Sequence, residues 1–238
     1  IQPLVNLFPT FFDAQRRVYM SATIADDSDI IRTFDVAPET IASALTSRSL
    51  AGVSERMILI PELMPFKFDV KDVLKSLFSQ TAARKFGSVI LVSSDKKAAQ
   101  WSDIATIATG ARDVEKSVAA LQGKQSLGPI VFSNRYDGID LPGDSCRLLV
   151  MSGLPAGTSN YELFKASALY GGKTITKMMA QRIEQGIGRG SRGSGDYCVV
   201  LLVGTDLSGW ISKQTNFSFL TSATRAQLEI GTEISKEV

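Results

Sequence analysis

Short apolar runs rich in valine, isoleucine and leucine alternate along this chain with segments whose apolar residues recur every three or four positions. The runs RRVYMSAT (Arg16 to Thr23), RMILI (Arg56 to Ile60), GSVILVS (Gly87 to Ser93), PIVFS (Pro129 to Ser133), CRLLVMS (Cys146 to Ser152) and YCVVLLV (Tyr197 to Val203) predict strands. Several are apolar almost throughout, the pattern of strands in a parallel sheet covered on both faces. Helical spacing predicts helices at about Val70 to Lys85, Lys96 to Ala108, Asp113 to Gln122, Tyr161 to Leu169, Thr174 to Gly186 and Ser222 to Ile230. The alternation is that of an α/β fold. A domain boundary is expected between Asp35 and Ser54, where small polar residues, Pro38 and Gly52 interrupt the pattern. One strand and a short helix before it cannot bury their own apolar surface, so that part reads as the tail of another domain.

Composition adds few constraints. Of 238 residues 44% are hydrophobic and 21% charged, values of an ordinary globular protein. No apolar run approaches the roughly 20 residues of a membrane helix, so no membrane partner is expected, and a cytoplasmic location, or a nuclear one in a eukaryote, is. The chain starts at Ile1 without a signal pattern and reads as an internal cut. A net charge of +2 excludes a strongly basic polyelectrolyte but not a local basic groove. Cys146 and Cys198 lie in apolar stretches and read as reduced core thiols. There is no histidine. That removes Ser-His-Asp triads and histidine-held metals, no metal site is expected, and arginine and carboxylate remain as the chemical resource.

Two glycine-rich stretches imitate nucleotide motifs. Gly188 to Gly193 spells G-x-G-x-x-G, but a dinucleotide fingerprint needs a strand before it and a helix after it. Here a helical pattern precedes (Ile175, Met178, Met179, Ile183) and a strand follows. SALYGGKT, Ser167 to Thr174, ends like a P-loop but has Ser167 where its first glycine is required, and no Asp-Glu dipeptide stands anywhere in the chain. Trp101 and Trp210 fit either core packing or base stacking.

What remains is an ordered set. Ser21-Ala22-Thr23 and Ser93-Ser94 end strands, NRYDGIDLPG runs from Asn134 to Gly143, and Gln185, Gly188, Arg189 and Arg192 form Q-x-x-G-R-x-x-R. In this order they resemble motifs III, IV, V and VI of the C-terminal half of a superfamily 2 DEAD/DEAH-type helicase, and CRLLVMSGLP after motif V resembles the XPD/DinG-like branch. The resemblance implies a RecA-like three-layer α/β/α domain over residues 51–238, with residues 1–50 the tail of the first motor domain and a linker.

It also implies roles. Arg189 and Arg192 become arginine fingers, since rigid, permanently charged guanidinium groups suit the developing charge of a transferred phosphoryl group. A helix continuing through the motif would point Gln185, Arg189 and Arg192 to one side. Gln185, Gly188, Gly138 and Asp140 are then ATP contacts, with Asp140 expected at the carboxyl end of its strand. Ser93, Ser94, Asn134 and Arg135 become contacts to single-stranded nucleic acid, DNA favoured over RNA, and Ser21, Ala22 and Thr23 a coupling motif. ATP with Mg2+ is the implied cofactor, its metal ligands expected in the first motor domain, which is the second implied partner. The alternative is a non-catalytic nucleic-acid or protein-binding module derived from a helicase half.

Overall fold

The computed structural model describes residues 4–20, 28–41, 45, 54–65, 67–136, 138–157, 164, 167–168, 173–191, 193 and 195–237. The chain divides into two compact units, Ile1–Ser49 and Leu50–Val238. The first holds a 3-10 turn, Leu4–Leu7, and short helices α1 (Pro9–Phe12), α2 (Ser28–Phe34) and α3 (Pro38–Ile41). Phe34 is its centre, with the rings of Tyr19 at 5.0 Å and Phe11 at 5.7 Å. Residues 16–20, expected as a strand, are not one. Extended backbone persists as strand only where a neighbour takes its N–H and C=O groups, and among the described residues of this unit there is no other strand. Ser21, Ala22 and Thr23 lie outside the described residues.

The second unit is the α/β domain. Its strands are β1 (Glu55–Leu59), β2 (Ser88–Val92), β3 (Thr106–Ala108), β4 (Ile130–Ser133), β5 (Leu148–Ser152) and β6 (Tyr197–Val203), in the order β1-β6-β5-β2-β4-β3. Every pairing is parallel. The apolar runs are central strands with both faces covered: Val89 and Leu91 of β2 point into one core, Ile90 and Val92 into the other. One face carries α4 (Val70–Ala83), begun by Asp69, whose carboxylate accepts from the N–H groups of Lys71 and Asp72, followed by α5 (Asp95–Ala98). The opposite face carries α6 (Gly110–Gln122), α7 (Lys173–Ile187), α8 (Thr205–Ile211), α9 (Gln214–Phe217) and α10 (Ser222–Glu237). This is the RecA-like three-layer α/β/α arrangement expected from the sequence. No helix among the described residues is long and apolar enough to cross a membrane.

The expected helix from Lys96 to Ala108 is corrected. α5 gives way to a 3-10 turn at Ala99–Trp101, and Thr106–Ala108 is the edge strand β3, registered on Ile130 to Phe132 of β4. The helical spacing is real up to Trp101, which is buried in the core and is no stacking platform; beyond it, β-branched Thr106 and Ile107 gain ladder bonds that helix continuation would not supply. Trp210 is half-buried against the other core. The expected helix from Tyr161 to Leu169 falls largely outside the described residues.

One connection positions the site. Chain leaving the carboxyl end of β4 crosses β2 to reach β5 with only a 3-10 turn, Gly143–Ser145, among its described residues, and buried Tyr136, Ile139 and Leu141 hold it on the face shared by α6 and α7. It descends the whole height of the sheet. At the bottom, the Gly87 N–H donates to the Asp144 carbonyl at 2.7 Å, and Arg147 joins Asp144 and Asp196 while lying 3.8 Å over the Tyr197 ring. Burial works against the Arg147 charge, but Asp196 and Asp144 outweigh it and raise its pKa.

Candidate functional site

The functional candidates gather at two ends of the sheet. At the carboxyl end, Ser93 and Ser94 follow β2, while Asn134 and Arg135 follow β4. The Asn134 N–H donates to the Val92 carbonyl at 2.7 Å, which locks the two strand ends together with Asn134 at φ +51°. Ser94 caps α5, its hydroxyl accepting from the Lys97 N–H at 3.3 Å. Ser93 is buried, so as a surface contact it is lost beneath the rim. Asn134 is exposed and Arg135 half-buried.

The same rim holds residues that the sequence reading did not single out. Asp206, in the first turn of α8, accepts from the Leu154 N–H at 3.1 Å and its neighbour Leu207 N–H at 2.9 Å, and pairs with Lys97 at 3.3 Å. Burial pushes its carboxyl up, but the Leu154 N–H and the Lys97 ammonium together hold it below the usual carboxylate range. Gly153, at φ +77°, lies so close beneath that a β-carbon would stand 2.6 Å from the Lys97 Nζ. Glu62, in the 3-10 turn Pro61–Leu63 after β1, accepts from the Gly204 N–H at 2.5 Å. Asp-Leu at a helix start is an ordinary sequence, and only the return of β5 and β6 to one rim gives it meaning.

The second gathering lies near the amino end. α7 stops at Ile187, so the helix does not run through Q-x-x-G-R-x-x-R, and Gln185 and Arg189 do not share a helical face. Arg189 instead turns back: its Nε donates to the Gln185 carbonyl at 3.0 Å and its Nη1 to the Ile139 carbonyl at 2.8 Å. The turn after α7 thus grips the β4–β5 connection through backbone. Asp140 is nearby but not at the carboxyl rim, because its carbonyl accepts from Gln122, the last residue of α6, at 2.8 Å. The connection has already descended by that point. Arg192 lies outside the described residues.

The glycines here serve packing. A β-carbon on Gly186 would collide with the Met151 methyl and stand 3.0 Å from the Tyr136 ring; one on Gly190 would lie 2.5 Å from the Cys198 sulfur. A β-carbon on Gly188 would stand 3.2 Å from the Glu184 carbonyl oxygen, whereas Gly138, at φ +75°, and Gly193 face open space. Cys146 and Cys198 are free buried thiols, as expected; the Cys198 contact, then burial, push the Cys146 thiol up. Ser191, between the two arginines of the motif, is buried and shares a 2.6 Å hydrogen bond with Ser54, tying this turn to the start of β1. The Tyr136 hydroxyl is buried without a hydrogen-bond partner, and burial raises its pKa. Among the described residues no cluster of three carboxylate or thiol groups is placed to hold a metal ion.

Residues 77–209 match the family model described as helicase C-terminal domain. Among solved structures the chain is similar to one titled as XPD helicase, at 14% identity over 84% of this chain and 40% of that one, with a TM-score of 0.49. Another, titled as apo XPD, is 15% identical over 76% of this chain and 40% of that one, with a TM-score of 0.45. The chain thus spans less than half the length of these structures. No curated protein matches it.

Proposed function

This chain belongs to the helicase C-terminal domain family, the recognition its motif order anticipated, and from that premise we propose that it is the second motor lobe of an ATP-dependent nucleic-acid helicase or translocase of the XPD/DinG-like branch. The observation that carries the reading is the Arg189 clasp, in which one guanidinium joins the end of α7 to the β4–β5 connection through Gln185 and Ile139. Two backbone carbonyls orient the group, and a permanently charged, planar guanidinium in a fixed place is the chemistry that suits a phosphate.

In this reading ATP sits between this lobe and the first motor domain. Guanidinium and amide donors suit the terminal phosphate oxygens of ATP, and the Mg2+ that travels with it is held by the other lobe. Arg189, with Arg192, acts across the cleft on charge that develops during phosphoryl transfer. Gln185, Gly188 and Asp140 stand on the same side of the domain and shape that approach. Single-stranded nucleic acid, DNA in preference to RNA, is held at the carboxyl rim by Asn134 and Arg135, whose amide and guanidinium donors suit phosphate oxygens. Closure of the lobes around ATP moves the rim relative to the strand, and opening after hydrolysis resets it.

The test is ATP turnover by the parent polypeptide with and without single-stranded DNA or RNA, for wild type and Arg189→Ala. Strand-stimulated turnover that collapses in the variant, with strand binding kept, supports the reading. A folded parent without turnover would make the domain a binding module instead.

A further inference from the structure

Between α6 and the β4–β5 connection runs a groove of about 400 Å³. Its floor is aliphatic: Val114 and Val118 of α6 face Ile139, and the small side chains of Ala111 and Ala119 leave its outer edge open. Gln122 and Arg189 hold the connection from its two sides, at the Asp140 and Ile139 carbonyls, so that wall is preformed. Charge is distributed unevenly along it. Arg135 stands at the rim end, while Glu115 and Asp140 stand further down.

We propose that this groove binds one nucleotide unit, with the base on the aliphatic floor, the sugar or exocyclic donors towards Glu115 and Asp140, and a single phosphate at Arg135. The inference rests on reading the chain as a nucleic-acid motor lobe and names a subsite within it. Size and polarity select the occupant: a cleft of this volume admits a small ligand, and its apolar floor with few polar groups fits a flat heterocycle. The charges select further. A nucleotide has its anion at one end and hydroxyl or amine donors at the other, matching a cation at one end of the groove and carboxylates at the other. A polyphosphate laid along the groove would meet both carboxylates, and a basic peptide would meet Arg135. Because the Ile139 wall is also the perch of Arg189, an occupant here touches the segment that orients the candidate finger.

The unit has two sources, a nucleotide of a bound strand or a free adenine nucleotide, and one experiment separates them. The chain is titrated into a short oligothymidylate carrying one 2-aminopurine, with AMP as competitor, for wild type, Ala119→Phe and Ala111→Phe. Both alanines are exposed, so a phenyl ring there fills the groove without entering the core. Each substitution is expected to weaken binding about tenfold, the scale of losing one stacked base. Weakened AMP binding with oligonucleotide binding unchanged in these variants assigns the groove to a free nucleotide; weakened oligonucleotide binding assigns it to the strand. Oligonucleotide and AMP binding that neither substitution weakens overturns the groove while leaving the motor reading standing, since that is read by ATP turnover. A wild-type chain that binds neither probe overturns it as well.

Discussion

The carboxyl rim and the arginine corner are built by opposite means. At the rim, side chains hold loops: the Asp206 carboxylate gathers the Leu154 and Leu207 N–H groups and Lys97, and Asp206, Lys97 and Leu154 stand at the surface or partly so. At the arginine corner the backbone holds a side chain, with two carbonyls fixing Arg189 above tightly packed glycines. The strands rise about 3.3 Å per residue, so a five-residue strand such as β2 separates the two by roughly 15 Å. The rim suits the grip and release of a polymer. The corner suits a charge that must not move until a partner arrives, because a preorganised group needs no reorganisation when it acts. The β4–β5 connection belongs to both.

The largest effect expected from this contrast is at the corner. Arg189→Ala in the parent should lower kcat for ATP by about 10³-fold or more, and Arg189→Lys should recover only a small part, since an ammonium cannot fork between two carbonyls and a phosphate. Strand affinity, measured by fluorescence anisotropy, should stay within about twofold; an equal loss of both would break the separation. Next in size is Gly186→Ala, which forces a methyl group into Met151 and Tyr136. Overpacking of this kind costs about 1–3 kcal/mol, or a fall in Tm of roughly 2–10 °C by calorimetry. Because Tyr136 belongs to the connection, rim and corner should weaken together in this variant.

Arg135→Ala sharpens the comparison from the other side. Strand affinity should fall and the slope of its logarithm against log salt should shrink by about one, while turnover without strand stays unchanged. The smallest effect is that of acid. Asp206 at the rim and Asp144 near the amino end both have carboxyls held below their usual 3.8, Asp144 by Lys124 first and then Arg147. A depressed carboxylate pKa stabilises the fold fully above the unfolded value and loses that contribution as pH falls through the folded one. The urea midpoint should therefore drop as pH is lowered from about 4 towards 3, and only modestly, because both pairs are largely exposed. In Lys97→Met the rim share of that drop should shrink and the Asp144 share persist.

How much was legible beforehand differs between the two regions. Arg189 could be singled out because Q-x-x-G-R-x-x-R is a dense local signal, and Asn134 and Arg135 because they follow an apolar run. Asp206 and Lys97 could not. They are 109 residues apart and meet only because α5 and α8 start from strand ends on one rim. Gly186 and Gly190 were visible as glycines, but an open approach and a tight floor look alike in sequence; the space a β-carbon would occupy tells them apart.

The sequence by itself determined the α/β class, all the central strands, the order of the motifs and the exclusion of a dinucleotide fingerprint, because each rests on local periodicity or spacing that the backbone converts directly into strand, helix or turn. Tertiary structure alone decided that Thr106 to Ala108 is an edge strand, that α7 ends before Arg189, and that Asp140 lies far below the rim where its strand ends. These depend on which strand lies beside which. The connection from β4 must cross β2 and descend to enter β5 in parallel, and that descent carries its residues from one end of the sheet to the other.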